Sequence, residues 1–307
     1  MIVCCGEALI DFLPRKGADG ADTFQPFVGG SVLNVAVALG RLGAPAGFFC
    51  GLSTDFFGSM IVKALHDSQV DTSLCLMSGR PTTLAFVKLT DGNAEYAFFD
   101  EGSAMRTLDQ DDLPAIPAVV TALHFGSISL TAEPCGSAYE RLMQNESPDR
   151  FVSLDPNIRP SLIKNRDGYL ARLGRMVEMS DIVKLSREDM EWIAPGATFE
   201  TLAADWLKRG ASLVILTQGP DGARAIGKRR SVFVRSVAVK VADTIGAGDT
   251  FSAAVLARLK QTGKLDKRAM SSLSESDLTD LLTYAAKAAS ITASRPGADP
   301  PWQREMQ

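Results

Sequence analysis

Apolar runs of strand length recur along this chain, separated by stretches of helical period. The runs are Ile2–Cys5, Ala46–Cys50, Ala122–Phe125, Phe151–Leu154, Ile182–Lys184 and Leu213–Thr217, and the helical patterns fall near 32–42, 57–68, 134–145, 168–179 and 199–209. Strands that are apolar throughout must be buried on both faces, so the alternation predicts an α/β fold: a mainly parallel sheet with helices on either side. Two segments break the rhythm. Leu9–Leu13 with Thr23–Val28, and Thr83–Leu89 with Glu95–Phe99, read as hairpin strands, with Asp91-Gly92-Asn93 as the turn of the second. Inserted early in an α/β chain, segments at about 9–28 and 83–100 predict a small β-sheet lid. Val232–Arg235 and the alternation Val237, Val239, Val241 predict further edge strands, followed by helices near 247–262 and 274–293 and a solvated connection over Gly263–Asp277. With no linker and no internal repeat, 1–307 reads as a single domain.

The net charge of −4 argues against a nucleic-acid partner, whose sites carry a basic excess. A membrane span needs about 18 apolar residues in a row, and no such run is present. Glu7 and Asp11 interrupt the first apolar stretch, which reads as a strand rather than a signal peptide. Five cysteines, without a Cys-x-x-Cys, fit buried reduced thiols in a cytoplasmic protein. Two histidines, His66 and His124, exclude a multi-histidine metal centre, and neither accompanies a Gly-x-Ser-x-Gly elbow.

The chemistry concentrates in Asp243-Thr-Ile-Gly-Ala-Gly-Asp249, which runs directly into the apolar helix pattern of Phe251 and Val255. Backbone N–H groups are unpaired at a helix start and the helix dipole is positive there, which suits a phosphoryl group. Gly246 and Gly248 remove side chains where backbone would meet a ligand, and Asp249 would stand beside it as a base for an attacking hydroxyl. A lone Asp in a first turn has a plainer role, stabilising the dipole, but that role does not explain the two glycines. Gly222-Ala-Arg-Ala-Ile-Gly227-Lys228 has P-loop spacing, yet Arg229 stands where Ser or Thr should be and strand residues follow, so a hairpin turn is expected. No Gly-x-Gly-x-x-Gly follows the first strand.

Three further clusters carry polar groups at element ends. In Gly29-Gly30-Ser31-Val32-Leu33-Asn34, Asn34 either meets sugar hydroxyls or caps a turn. Asp11 either accepts hydrogen bonds from a diol or is a solvated loop residue. In Asp155-Pro-Asn-Ile-Arg-Pro160, Arg159 either clamps a phosphate or makes a surface ion pair. Thr217-Gln-Gly-Pro-Asp-Gly222 is a polar turn after a strand.

Taken in order, these clusters resemble the PfkB family of carbohydrate kinases, whose fold is ribokinase-like: a three-layer α/β/α core with a small β-sheet lid. The heptapeptide 243–249 matches that family's C-terminal signature, and the likeness runs from Cys5-Gly6-Glu7 to Arg295-Pro-Gly297. Gly6-Glu-Ala-Leu-Ile-Asp-Phe-Leu-Pro14, Gly126-Ser-Ile-Ser-Leu130 with Glu133-Pro134, and Asp155–Pro160 resemble its fructokinase branch. The resemblance implies an ATP-dependent kinase acting on the primary hydroxyl of a ketohexose, D-fructose to fructose 6-phosphate. Alternatives are a kinase for 2-keto-3-deoxygluconate, ribose or a nucleoside, or a sugar-binding regulator without catalysis. It implies Asp249 as base and the amides of Gly246, Ala247 and Gly248 as anion hole. Asp11, Gly29, Gly30, Asn34 and Arg159 would hold the sugar, with Arg159 also meeting phosphate. Ser186, Thr217, Gly219 and Gly222, with Gly246 and Gly248, would face the nucleotide. Asp243, Ile245, Thr292, Arg295 and Gly297 match a loop that holds a monovalent cation, K+, in relatives. Magnesium would ride on the ATP phosphates. Ser186-Arg-Glu-Asp189 stands where ribokinases carry Asn-x-x-Glu, and Asp100 where several relatives carry Arg. Relatives also pair through the lid, which implies a homodimer.

Overall fold

The computed structural model describes residues 1–90 and 93–307; Asp91 and Gly92 of the expected turn lie outside the described residues. The chain opens with β1 (Ile2–Cys5), then β2 (Leu9–Lys16), β3 (Asp22–Gly29) and α1 (Ser31–Arg41). β4 (Ala46–Phe49), β5 (Gly51–Ser53), α2 (Phe56–Asp67), β6 (Val70–Asp71) and β7 (Leu76–Ser78) follow, then β8 (Thr83–Thr90) and β9 (Asn93–Phe99). Next come β10 (Ala122–Gly126), α3 (Cys135–Glu146), β11 (Phe151–Asp155), α4 (Arg166–Glu178), β12 (Ile182–Ser186), α5 (Arg187–Ile193) and α6 (Phe199–Arg209). β13 (Leu213–Thr217), β14 (Ala223–Gly227), β15 (Arg230–Val234), α7 (Ala247–Gln261) and α8 (Glu275–Ala293) complete the order.

Nine strands form the main sheet in the order β15-β14-β13-β12-β11-β10-β1-β4-β6. Pairings are parallel from β6 to β13 and antiparallel across β14 and β15. The strands supply two cores at once, because alternate side chains leave opposite faces. Ile2, Cys4, Phe48, Ile182, Leu213 and Ile215 join α1, α7 and α8 in one cluster, whereas Val3, Cys5, Phe49, Val183 and Val214 join α3, α4 and α6 in the other. Each buried side chain of Phe48 or Phe49 size contributes roughly 1.5–3 kcal/mol. α1 is apolar almost all round because it lies between the sheet and α7.

β2, β3, β8 and β9 form a separate four-stranded sheet, order β3-β2-β8-β9, as the two hairpin patterns predict. From β1 the main sheet is built outward through β4 and β6 on one side and through β10 and β11 on the other. The strand order therefore reverses at β1, and the carboxyl ends of β1, β10 and β11 open onto one crevice, where open α/β sheets place ligands.

One strand expectation fails. Val237, Val239 and Val241 are not in a strand and are 42%, 38% and 58% exposed. β15 is already the sheet edge, so their alternation meets no partner backbone to pair with. The connection at 263–277 is less solvated than its composition suggests: Met270 and Leu273 are buried, and Lys267 reaches Asp181 at 2.7 Å. Residues 222–228 contribute β14 and its turn into β15, not a phosphate loop. All five cysteines are free thiols, four buried and Cys75 half-buried.

Candidate active site

Two helix starts meet at the crevice. Asp249 lies in the first turn of α7 and is buried; from α1, Ser31 Oγ donates to its Oδ1 at 2.6 Å and Asn34 Nδ2 to its Oδ2 at 2.8 Å. Asn157, from the loop after β11, donates through Nδ2 to Ser31 Oγ at 2.6 Å and lies 3.5 Å from Asp249 Oδ1. Burial raises the Asp249 pKa, and the Ser31 and Asn34 bonds pull it part of the way back. The two bonds hold the buried carboxylate in one orientation.

The start of α7 has no side-chain cap, so its first-turn amides are open to an anion. Gly246 turns the chain into this helix with φ of 74°, a left-handed conformation that glycine adopts without penalty. A Cβ there would lie 2.6 Å from Ala298 Cβ. Of the three expected anion-hole amides, that of Ala247 also leans toward Thr244 O at 3.4 Å.

On the opposite side, burial raises Asp11 to about 6, an effect that Arg159 partly counters. Gly29 is not a lining residue. It stands behind Asp11, and a Cβ at Gly29 would lie 2.1 Å from Asp11 Oδ2. Arg159 donates to Asn157 Oδ1 at 2.8 Å and to Ile158 O at 3.0 Å, and its charge acts on Asp11. Gly30, Asn34, Asp11, Arg159, Gly246, Gly248 and Asp249 all border one cavity of about 310 Å3.

Ser186 and Thr217 border the same cavity, whereas Gly219 and Gly222 form a turn outside it. The Asp189 carboxylate is filled: Ile158 N donates to Oδ1 at 2.7 Å, and Ser186 N and Oγ donate to Oδ2 at 2.8 and 2.7 Å. Its work is to fix the loop carrying Arg159 to the start of α5. In the expected cation loop, Asp243 accepts from Ile245 N at 3.0 Å and Gly297 N at 2.9 Å, tying the two segments together. The Thr292 side chain turns inward to Thr250 Oγ1 at 2.9 Å, and Arg295 pairs with Glu305. The side chains of Thr292 and Arg295 are thus engaged within the protein.

Glu7, Ser31, Asn157 and Lys184 are among the residues of the cavity that escaped the sequence reading. Glu7 is buried, takes Val32 N at 3.3 Å, and has its pKa raised to about 7 by burial. Ser31 and Asn157 sat inside motifs already singled out, each beside a more conspicuous neighbour. Lys184 carried the best signal, a lone cation in an otherwise apolar strand run. Its Nζ lies 2.9 Å from Asp155 Oδ2, to which Ser252 Oγ also donates at 2.9 Å. A larger cavity of about 640 Å3 lies next to Phe98, and in its lining Asp100 pairs with Arg106 and Glu133 with Arg172.

A phosphate-ready helix start, a buried carboxylate beside it and a polar acceptor pocket under a second sheet define a phosphotransferase acting on a hydroxyl compound. The family model described as pfkB family carbohydrate kinase matches residues 1–305. A fructokinase from Rhizobium leguminosarum bv. trifolii is 50% identical over 278 residues, covering 91% of this chain and 85% of its own. Among solved structures, a fructokinase with bound ATP from Xylella fastidiosa superposes with a TM-score of 0.91 at 26% identity, covering 99% of this chain and 96% of its own. A double mutant of the Vibrio cholerae O395 fructokinase with fructose, ADP and potassium ion bound has a TM-score of 0.84 at 26% identity, covering 97% and 93%. The chain belongs to the pfkB family of carbohydrate kinases, with the ribokinase-like fold.

Proposed function

We propose that this carbohydrate kinase transfers the γ-phosphoryl group of ATP to the primary hydroxyl of D-fructose, giving fructose 6-phosphate and ADP. The observation that carries the reading is the buried Asp249 carboxylate, oriented by Ser31 and Asn34 beside the uncapped start of α7. In the reaction Asp249 takes the hydroxyl proton as the sugar oxygen bonds to phosphorus, and the bond from phosphorus to the ADP oxygen breaks. The amides at 246–248 receive the charge on the transferred group, an arrangement worth on the order of 10²–10³ in rate per key donor. Asp11, Gly30, Asn34 and Arg159 hold the sugar, with Gly29 leaving room for Asp11; Ser186 and Thr217 face the nucleotide. Fructose is favoured by the likeness to fructokinases, the first of them at 50% identity.

Among the described residues no three His, Cys, Asp or Glu side chains gather into a metal site, and Asp189 is taken up by its own loop. That donor set fits magnesium carried in on the ATP phosphates with few protein ligands. The loop joining Asp243 to Gly297 fits a monovalent cation held by backbone oxygens, and exchange of potassium for a bulky organic cation should lower turnover. The four-stranded sheet is proposed as a lid over the sugar, and its exposed Phe24 and Phe99 as a contact for a second copy. Among the described residues no helix is long and apolar enough to cross a membrane, and the free thiols fit a cytoplasmic setting.

ADP release measured across fructose, ribose, 2-keto-3-deoxygluconate and nucleosides tests the assignment. Fructose should show the highest kcat/KM, with phosphate on its 6-position by phosphorus NMR. A tenfold preference for another acceptor would replace fructose, and binding of sugar without turnover of ATP would make the chain a regulator.

A further inference from the structure

We infer that Lys184 supplies the positive charge that meets the phosphoryl group in transit, its Nζ completing the anion site from below the first turn of α7. The inference rests on the kinase reading above. Lys184 stands in β12, in the middle of the parallel sheet, and is buried. Its neighbours Val183 and Leu185 point into the core cluster of α3, α4 and α6, so Lys184 points the other way, toward α7. There its Nζ lies 3.3 Å from the position a Cβ would take on Gly248.

A cation is misplaced at this point if its duty is structural. The start of a helix is the positive end of its dipole, so an ammonium there is opposed by the peptide groups and by loss of water. Burial indeed works against the charge of Lys184, but Asp155, Asp189 and Asp249 outweigh it and hold the pKa up, which keeps the ammonium protonated. Asp155 holds it in place through Oδ2 at 2.9 Å, and Ser252 Oγ fixes the same oxygen from one turn further along α7. An arriving phosphoryl group reverses the balance: the anion satisfies the helix start and the ammonium together.

The other basic residue bordering the cavity, among those described, is Arg159. Its guanidinium is engaged by Asn157 and Ile158, and its charge acts on Asp11. Gly248 now has a second reason to be glycine, because any side chain would press on the ammonium. During transfer the oxygen of the sugar bonds to phosphorus, the bond to ADP breaks, and the proton passes to Asp249. Lys184 neither gains nor loses a proton.

The test compares wild type with Lys184→Met and with the double variant Lys184→Met, Asp155→Asn, which does not leave Asp155 as a buried carboxylate without its partner. Both should lower kcat by about 10²–10³ while the KM for fructose moves less than about threefold. Calorimetry with ADP, aluminium fluoride and fructose, a mimic of the transferring phosphoryl group, should show the ternary complex weakened more than about 100-fold in both variants. ADP alone and fructose alone should bind as in wild type. A purely structural ion pair predicts the opposite: the double variant would recover kcat and the mimic complex to within tenfold, and that result overturns the inference. In wild type itself, the 15Nζ resonance of the buried lysine should move when the mimic complex forms, and an unmoved resonance would also overturn it. Wild-type turnover separates the two readings. If wild type phosphorylates no sugar, the kinase reading fails; if it is active and the double variant is equally so, only the role of Lys184 fails.

Discussion

Asn34 and Asp249 lie 215 residues apart in sequence and are joined by a hydrogen bond of 2.8 Å, from Nδ2 to Oδ2. This bond fastens the start of α1 to the start of α7, so the acceptor pocket and the phosphoryl site share a part. Ser31 occupies the other carboxylate oxygen at 2.6 Å, and the base cannot swing away from the crevice. Both donors favour the ionised form against the burial that opposes it.

Replacing Asn34 with Ala should therefore act through acidity as well as through sugar contact. Loss of a donor to a buried carboxylate raises its pKa, so more of Asp249 is protonated at a given pH. A hydrogen bond to a charged group contributes roughly 1.5–3 kcal/mol, which corresponds to about one pH unit or more. The acidic limb of kcat/KM against pH should move up by about that much, and an unmoved limb would mean that Asn34 does not tune the base.

Gly29→Ala isolates the role of Asp11. The added methyl would sit 2.1 Å from Asp11 Oδ2, and Asp11 must leave its place. The KM for fructose should rise about tenfold or more, as expected for a lost charged hydrogen bond, with a smaller change in kcat. Steady-state kinetics separate the two; an unchanged KM would remove Asp11 from the sugar site.

Glu7 makes the protein less stable as pH rises. Its pKa is about 7 in the fold against 4.5 for the free side chain, because burial penalises the charge. Below pH 4.5 the group is protonated folded or unfolded and adds no pH dependence. Between 4.5 and 7 the folded chain keeps the proton that the unfolded chain has lost, so stability falls through that window and levels off above it. The full loss is on the order of 3 kcal/mol, to which Asp11 and Asp249, both raised, add in the same direction. Thermal melts of Glu7→Gln should show a flatter dependence between pH 5 and 8 than wild type, and parallel curves would contradict it.

The sheet was legible because parallel strands are apolar along their whole length, and Ile2–Cys5 or Leu213–Thr217 admit few other fates. Short pieces such as β5, β6 and α5 carry too few residues for a period to show. The alternation at Val237–Val241 misled because periodicity reports a chain's pattern and not whether a partner strand exists. Asp249, Gly246, Asn34 and Asp11 were legible as residues at element ends. Ser31, Asn157, Glu7 and Lys184 were not, since their roles arise from contacts across more than 90 positions or from burial beneath another helix. No local pattern encodes that Lys184 on β12 will lie under Gly248 on α7.

The most direct measurement is the single-turnover rate of phosphoryl transfer from ATP to fructose in purified, folded Asp249→Asn. The carboxamide keeps the shape and the contact with Ser31 but cannot accept the hydroxyl proton. Transfer should fall by about 10²–10⁴ relative to wild type while fructose still binds. A rate within about tenfold of wild type would contradict Asp249 as the base, and with it the reading of the site.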